Sequence, residues 1–230
     1  MTYHLTYSIF GEQAILISWP QEIKSEIRED IYSFDKKIQH QLSDVIEETV
    51  VAYCSLTVFP RKGIKKKPLI QHLKSIYHSK QNIPKEDKKI WHIPVCYHPS
   101  LGQDIVSFAQ AKSMEIAEVI KLHTHPFYDV CFLGFLPGFP YLSGLDARLK
   151  TPRLDQPRAL VRKGSVAIGG QQTGVYPVDS PGGWHILGRT PISFFDLQQP
   201  IPVFLKAGDQ IKFEAIELEA YHQLKIKANG

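Results

Sequence analysis

Several signatures that announce a function are missing from this chain of 230 residues. There is no G-x-x-x-x-G-K-[ST] phosphate loop, no G-x-G-x-x-G after a strand, no H-E-x-x-H and no G-x-S-x-G. A nucleotide cradle, a zinc-protease helix and an acyl-enzyme nucleophile therefore have no sequence support. Cysteine is scarce: Cys54, Cys96 and Cys131 are odd in number, far apart and without a C-x-x-C pair. That excludes a disulfide framework and a cysteine zinc site, and reads as buried reduced thiols. No apolar run approaches the ~18 residues of a membrane span, and the start MTYHLTYSIFGEQAILISWP lacks a charged segment ahead of a long apolar one. A cytoplasmic protein without a membrane partner is expected. Nor is charge of one sign in excess: Lys+Arg 27 against Asp+Glu 23 gives +4, a mild attraction for anions and no nucleic-acid footprint. The one basic cluster, Arg61 to Lys67, has no interleaved aromatics and reads as a solvated loop.

A hydrophobic share of 43% with 22% charge supports a fully folded chain, long enough for one large domain or two ordinary ones. Thr6 to Phe10 and Ala14 to Trp19 are β-rich runs around a Gly11-Glu12 turn. Ile23, Ile27, Ile31, Phe34, Ile38 and Leu42 recur at spacings of four and three, which lines one face of a long helix. Val45 to Ala52 and Ser55 to Phe59 read as strands, and Pro68 opens a helix with Leu69, Ile70, Leu73, Ile76 and Tyr77 on one face. Lys89 to Tyr97 reads as a closing strand. The order β-β-α-β-β-α-β resembles a ferredoxin-like α+β sandwich with an added strand. Its boundary is expected in the polar stretch His78 to Lys88, with Asn82 and Pro84, or just after the strand that follows. Two short helical patterns follow up to His125, with Ser113 as N-cap of the second. Then short β-rich pieces alternate with Gly and Pro: Ala159 to Val161, Val166 to Ile168, Val175 to Val178, His185 to Leu187, Ile192 to Phe195, Val203 to Lys206 and Ile211 to Ile216. That spacing predicts a closed or nearly closed barrel.

Three stretches carry chemistry. His123 and His125 end a helical pattern, where residues two apart point about 200° apart, so helix-end packing is preferred to a metal pair. From Gly164 to Pro191, glycine pairs allow close backbone approach, while Gln172, Thr173, Tyr176, Trp184 and Arg189 supply amide, hydroxyl, aromatic and guanidinium groups. Such a set would grip a small carboxylate or amide. It would equally serve a barrel whose Gly and Pro turn corners and whose Tyr176 and Trp184 are core. Among the flanking arginines, Arg153, Arg158, Arg162 and Arg189, the second and fourth are the better carboxylate candidates, since Arg162 sits beside Lys163 in a turn. The uncharged run FLGFLPGFPYLSGL, Phe132 to Leu145, reads as half strand and half rigid loop, the loop covering Leu136 to Tyr141, with Phe132 and Phe135 facing the core.

Taken in order, HTHPFYDVCFLGFLPGFPYLSGL, TPRLDQPR, GSVAIGGQQTGVYP, SPGGWHILGRTP and LKAGDQIKF resemble the PxpB/KipI family, also described as allophanate hydrolase subunit 1. The resemblance covers nearly all of residues 90 to 216. It implies an α+β N-terminal domain, residues 1–88, and a mainly-β cyclophilin-like barrel, residues 89–230. It further implies the PxpB-type component of an ATP-dependent 5-oxoprolinase, which opens 5-oxo-L-proline to L-glutamate together with PxpA-type and PxpC/KipA-type subunits and is inactive alone. ATP is consumed by the complex, and no metal is implied in this chain. Relatives imply two alternatives: a Kip-type inhibitor of a sensor histidine kinase, or a carboxyltransferase component related to urea carboxylase. By position, the family's glycine-rich loops fall on Gly134, Gly138, Gly170, Gly174, Gly182 and Gly183, and its polar signature on Gln172, Thr173, Tyr176, Pro177, Trp184, Arg189 and Thr190. With Arg158 added, Gln172, Thr173, Tyr176, Trp184, Arg189 and Thr190 are the substrate-binding candidates. The glycines, Pro177 and the stretch Pro137, Phe139, Pro140, Tyr141 are expected at the barrel mouth or a partner interface. No catalytic residue is assigned. A Gly138→Val change is expected to impair the complex more than folding.

Overall fold

A computed structural model of the chain describes residues 3–22, 24–79 and 88–228. The chain divides into two compact units, Met1–Asp87 and Lys88–Gly230. Ile23 and most of the expected boundary stretch, with Asn82 and Pro84, lie outside the described residues.

The first unit runs β1 (Thr6–Phe10), β2 (Ala14–Ser18), α1 (Ser25–Gln41), β3 (Ile46–Val51), β4 (Ser55–Pro60) and α2 (Lys66–His78). The period of α1 places Ile27, Ile31, Phe34 and Ile38 on its buried face, and α2 buries Leu69, Leu73, Ile76 and Tyr77. Alternation in β2 and β4 turns Ile15, Ile17, Leu56 and Val58 into the same core. Each such side chain contributes ~1.5–3 kcal/mol of burial. The sheet order is β1-β2-β4-β3, all antiparallel. This corrects one expectation: the strand after α2 does not close this sheet. The edge of β2 opposite β4 is already taken by β1, turned back at Gly11 with φ +58, and the later strand pairs elsewhere.

That strand, β5 (Ile90–Val95), opens the second unit. It is followed by α3 (Ile105–Ala111), α4 (Ile116–Thr124), β6 (Tyr128–Leu133), β7 (Pro140–Ser143), a 3₁₀ turn at Ala147–Leu149, β8 (Arg158–Val161), β9 (Ser165–Gly169), β10 (Gln172–Val175), β11 (Ser180–Gly182), β12 (His185–Arg189), β13 (Gln210–Ala215) and α5 (Leu218–Ala228). Seven strands form one sheet in the order β12-β9-β10-β7-β6-β13-β5, with β5 and β13 parallel. Cys96, just past β5, exchanges backbone hydrogen bonds of 2.9 Å each way with Arg189 at the end of β12. That single bridge brings the two ends together into a nearly closed barrel. Strands β8 and β11 form a separate ribbon.

Alternation along β9 and β12 divides the packing. Val166, Ile168 and Leu187 enter the main core with Tyr128, Val130 and Phe213. Ala167 and Ile186 face the other way and join Phe139, Val161, Tyr176 and Trp184 in a second cluster. Three local expectations are revised. Ile192 to Phe195 and Val203 to Lys206 are irregular although Phe194 and Leu205 are buried, because apolar side chains here fill the core without ladder pairing. The strand expected at Val175 to Val178 ends at Val175, ahead of Pro177. Ser113 takes φ 53, and Glu115, in extended conformation, is the residue that precedes α4. Among the described residues no helix is long and apolar enough to cross a membrane.

Candidate functional site

The second cluster is open on one side as a cleft of about 300 Å³, walled by Phe135, Phe139, Tyr141, Tyr176 and Trp184 with Arg153 at its margin. Phe139 is the hub: fully buried, it meets Tyr176 at 5.2 Å and Trp184 at 5.4 Å edge-on, and Tyr141 at 5.0 Å. Edge-to-face contacts of this kind add ~0.5–1.5 kcal/mol each beyond area burial and hold the rings at fixed angles. Two glycines let the rings lie against backbone. A Cβ on Gly169 would stand 2.5 Å from Trp184 Nε1, and one on Gly182 would collide with the Tyr176 hydroxyl. Burial pushes the Tyr141 and Tyr176 phenols upward, so both are neutral hydrogen-bond groups at pH 7.

Arg153 is the one charged residue lining the cleft, with its guanidinium carbon 5.8 Å from the centroid of the Trp184 ring. The lining residues Leu154, Pro157, Pro181, Gly182 and Gly183 complete the floor and rim. Behind Trp184, Arg158 donates to the Trp184 carbonyl at 3.3 Å and to Asp104 at 2.5 Å. Asp104 in turn accepts from the Ile186 N–H at 2.7 Å, so its carboxylate ties Arg158 to β12. A buried ion pair of this kind is worth most as a positioning device.

The substrate-binding candidates thus scatter. Tyr176 and Trp184 meet in the cleft. Arg158 is engaged behind it. Thr173 is fully buried, donating to the Ala167 carbonyl at 3.0 Å and bonded to His123 Nε2 at 2.8 Å, so its hydroxyl is committed inside the core. Gln172 stands opposite Gly169, on the Trp184 side of the sheet, and its Nε2 is buried without a hydrogen-bond partner. Arg189 and Thr190 lie at the far end of β12, roughly 16 Å along the strand from Trp184 at ~3.3 Å per residue. There Arg189 donates to the Lys163 carbonyl at 2.9 Å and hydrogen-bonds Tyr221 of α5, while the Thr190 hydroxyl accepts from Ile192 N–H.

Of the loop candidates, Phe139, Tyr141, Gly182 and Gly183 line the cleft. Gly134, Pro137, Gly138 and Pro140 shape the β6–β7 connection that delivers Phe135, Phe139 and Tyr141. Gly174 lies in β10 against Phe139, Gly170 turns β9 into β10, and Pro177 follows β10. Phe132 is half-buried and stacks on Tyr141 at 4.4 Å. Phe135, expected to face the core, is 63% exposed with φ 68, and its ring meets Phe139 edge-on from the solvent side. Arg153, passed over in favour of Arg158 and Arg189, is the arginine in the cleft. Its signal was its place in TPRLDQPR, between two prolines that hold the segment extended.

A larger depression of about 710 Å³ between α4 and the turn after β7 is lined by exposed Glu118, Lys121, His125 and Arg148, with Asp146. Hydrogen bonds from Arg148 pull the Asp146 carboxyl down to about 2. No substrate-binding or loop candidate faces it, and its mixed exposed charges define no ligand class. Among the described residues no group of three or more His, Cys, Asp or Glu side chains could hold a metal.

Residues 5–205 match the family described as "Carboxyltransferase domain, subdomain C and D". The chain is 35% identical to the B subunit of 5-oxoprolinase from Bacillus subtilis, covering all of both chains. It is 38% identical to the protein of the same name from Haemophilus influenzae, covering 90% of this chain and 97% of that one. The solved structure of TTHA0988 superposes with a TM-score of 0.78 at 29% identity over 89% of this chain, which spans 40% of that longer one. The Kluyveromyces lactis urea amidolyase shares the fold, with a TM-score of 0.78 at 22% identity over 96% of this chain and 15% of its own. A mixed α/β chain with a nearly closed seven-stranded barrel, matched from end to end by these B subunits, belongs to the PxpB family of carboxyltransferase-domain proteins, the B subunits of 5-oxoprolinase.

Proposed function

We propose that this chain is the B subunit of a heteromeric, ATP-dependent 5-oxoprolinase that opens 5-oxo-L-proline to L-glutamate together with PxpA-type and PxpC-type subunits. The observation that carries this reading is the end-to-end similarity to two B subunits of that enzyme. The cleft supports it. A five-membered lactam acid is small, flat and singly charged, which suits aromatic walls enclosing about 300 Å³ with one cation at the margin. In the same reading the barrel is the cyclophilin-like one and the first unit a variant of the ferredoxin-like sandwich.

An unactivated lactam resists water because amide resonance quenches its carbonyl. ATP supplies the driving force by phosphorylating the lactam oxygen. The part played by this chain is binding: Phe139, Tyr141, Tyr176 and Trp184 exclude water from the ring, and the neutral phenols offer hydrogen bonds to its polar edge. With no G-x-x-x-x-G-K-[ST] loop in the chain, the nucleotide phosphates are assigned to another component of the complex.

Mixing the purified chain with both partner subunits, ATP and 5-oxoproline should release glutamate and phosphate, and leaving this chain out should abolish it. Undiminished release without it overturns the reading. A carboxyltransferase role draws on the family description and the urea amidolyase fold. It would require a biotin-bearing partner, since no Met-Lys dipeptide occurs here.

A further inference from the structure

We propose that Arg153 is the specificity-determining residue of the cleft, its guanidinium binding the carboxylate of a small ring-bearing acid whose ring lies among Phe139, Tyr141, Tyr176 and Trp184. The proposal rests on reading this cleft as the substrate site.

Three observations carry it. First, every other arginine of this unit is committed: Arg148 to Asp146, Arg158 to Asp104, Arg162 to Asp179, and Arg189 to the Lys163 carbonyl. Arg153 has no hydrogen bond or ion pair among the described residues, and no carboxylate lines the cleft with it. A cation facing an aromatic enclosure without a counter-charge selects an anion. Second, the cation is mounted rigidly. Thr151 exchanges backbone hydrogen bonds of 3.0 and 2.7 Å with Gly170, the Pro152 carbonyl accepts from His185 at 3.0 Å, and Leu154 N–H donates to the Gly183 carbonyl at 2.8 Å. Both sides of Arg153 are thereby pinned to the barrel rim, which reduces the ordering cost of binding. Third, the Trp184 face holds the guanidinium at the cleft margin and leaves its N–H edge free for a bidentate contact.

The test compares 5-oxoproline with 2-pyrrolidinone, the same ring without a carboxylate, titrated into the full chain and followed by tryptophan fluorescence with Trp184→Phe as the signal control. The wild type should bind 5-oxoproline at least tenfold more tightly than 2-pyrrolidinone. Arg153→Gln should remove that preference and leave 2-pyrrolidinone binding unchanged, with Arg153→Lys between the two. In the reconstituted complex the same Gln variant should raise KM for 5-oxoproline at least tenfold with little change in kcat. Equal weakening of both ligands, unchanged 5-oxoproline binding, or no binding by the wild type overturns the proposal. A complex that makes no glutamate while the chain still discriminates through Arg153 defeats the enzymatic reading alone. An active complex indifferent to Arg153→Gln defeats this proposal alone.

Discussion

His123 illustrates how completely hydrogen bookkeeping can define one side chain. The Thr173 hydroxyl spends its proton on the Ala167 carbonyl, so at 2.8 Å it must accept from His123 Nε2. Nδ1 is then bare and accepts from the Tyr97 hydroxyl at 2.7 Å, while the ring stacks on Phe213 at 4.9 Å. No charged group faces the imidazole, and burial drives its pKa down to about 3. A histidine held neutral in the fold titrates near 6.5 when unfolded, so the unfolded chain takes up the proton first as pH falls. The stabilisation is complete above about pH 6.5 and drains away as pH drops toward 3. His123→Gln should therefore cost ~2–3 kcal/mol at pH 7.5 through lost packing and orphaned partners, and the gap to wild type should shrink by about 2 kcal/mol at pH 5. Urea unfolding at the two pH values measures this; a gap of equal size at both would contradict a neutral buried imidazole.

The β6–β7 connection behaves as a single shaped element. Gly138 takes φ +80, and a Cβ there would stand 2.5 Å from the Phe194 carbonyl oxygen, a backbone atom that cannot step aside. Gly138→Val should therefore lower stability by about 2 kcal/mol or more, a melting point roughly 4–8 °C lower, alongside any loss of complex activity. This replaces the expectation that the change would spare folding. Phe135, on the same loop but 63% exposed, is the contrasting site. Phe135→Ala should change stability by no more than about 0.5 kcal/mol, and thermal melting of both variants distinguishes a loop shaped by its glycine from one held by its exposed ring. The helices and strands of the chain were easier to read in advance than this loop. The face of α1 repeats at helical spacing, so Ile27 to Ile38 could be assigned from period alone. Ile192 to Phe195 showed equally apolar residues yet forms no strand, because burial and ladder pairing leave the same mark on a short run.

In the whole chain, each unit has its own core. The first centres on Ile15, Ile31, Phe34 and Leu56, the second on Tyr128, Val166, Leu187 and Phe213. A fragment of residues 88–230 should then fold unaided, with a cooperative thermal transition and a native near-ultraviolet dichroism signal. A fragment with helical and strand signal but no fixed aromatic environment would show that the barrel depends on the first unit.

Local periodicity, turn residues and the ordered motifs were enough to reach two units, an α+β sheet with two helices, a barrel-like second part and the family. Those features are set by neighbours in sequence, through helical and strand period and the backbone freedom of Gly and Pro. Which arginine belongs to the cleft was decided by folding. Along β12 the extended backbone carries Arg189 roughly 16 Å from Trp184. Pairing of Thr151 with Gly170 and of Leu154 with Gly183 brings Arg153 back over the same indole from a distant point in the sequence. Distance along a strand separates residues that look adjacent in a motif, and long-range backbone pairing joins residues that do not.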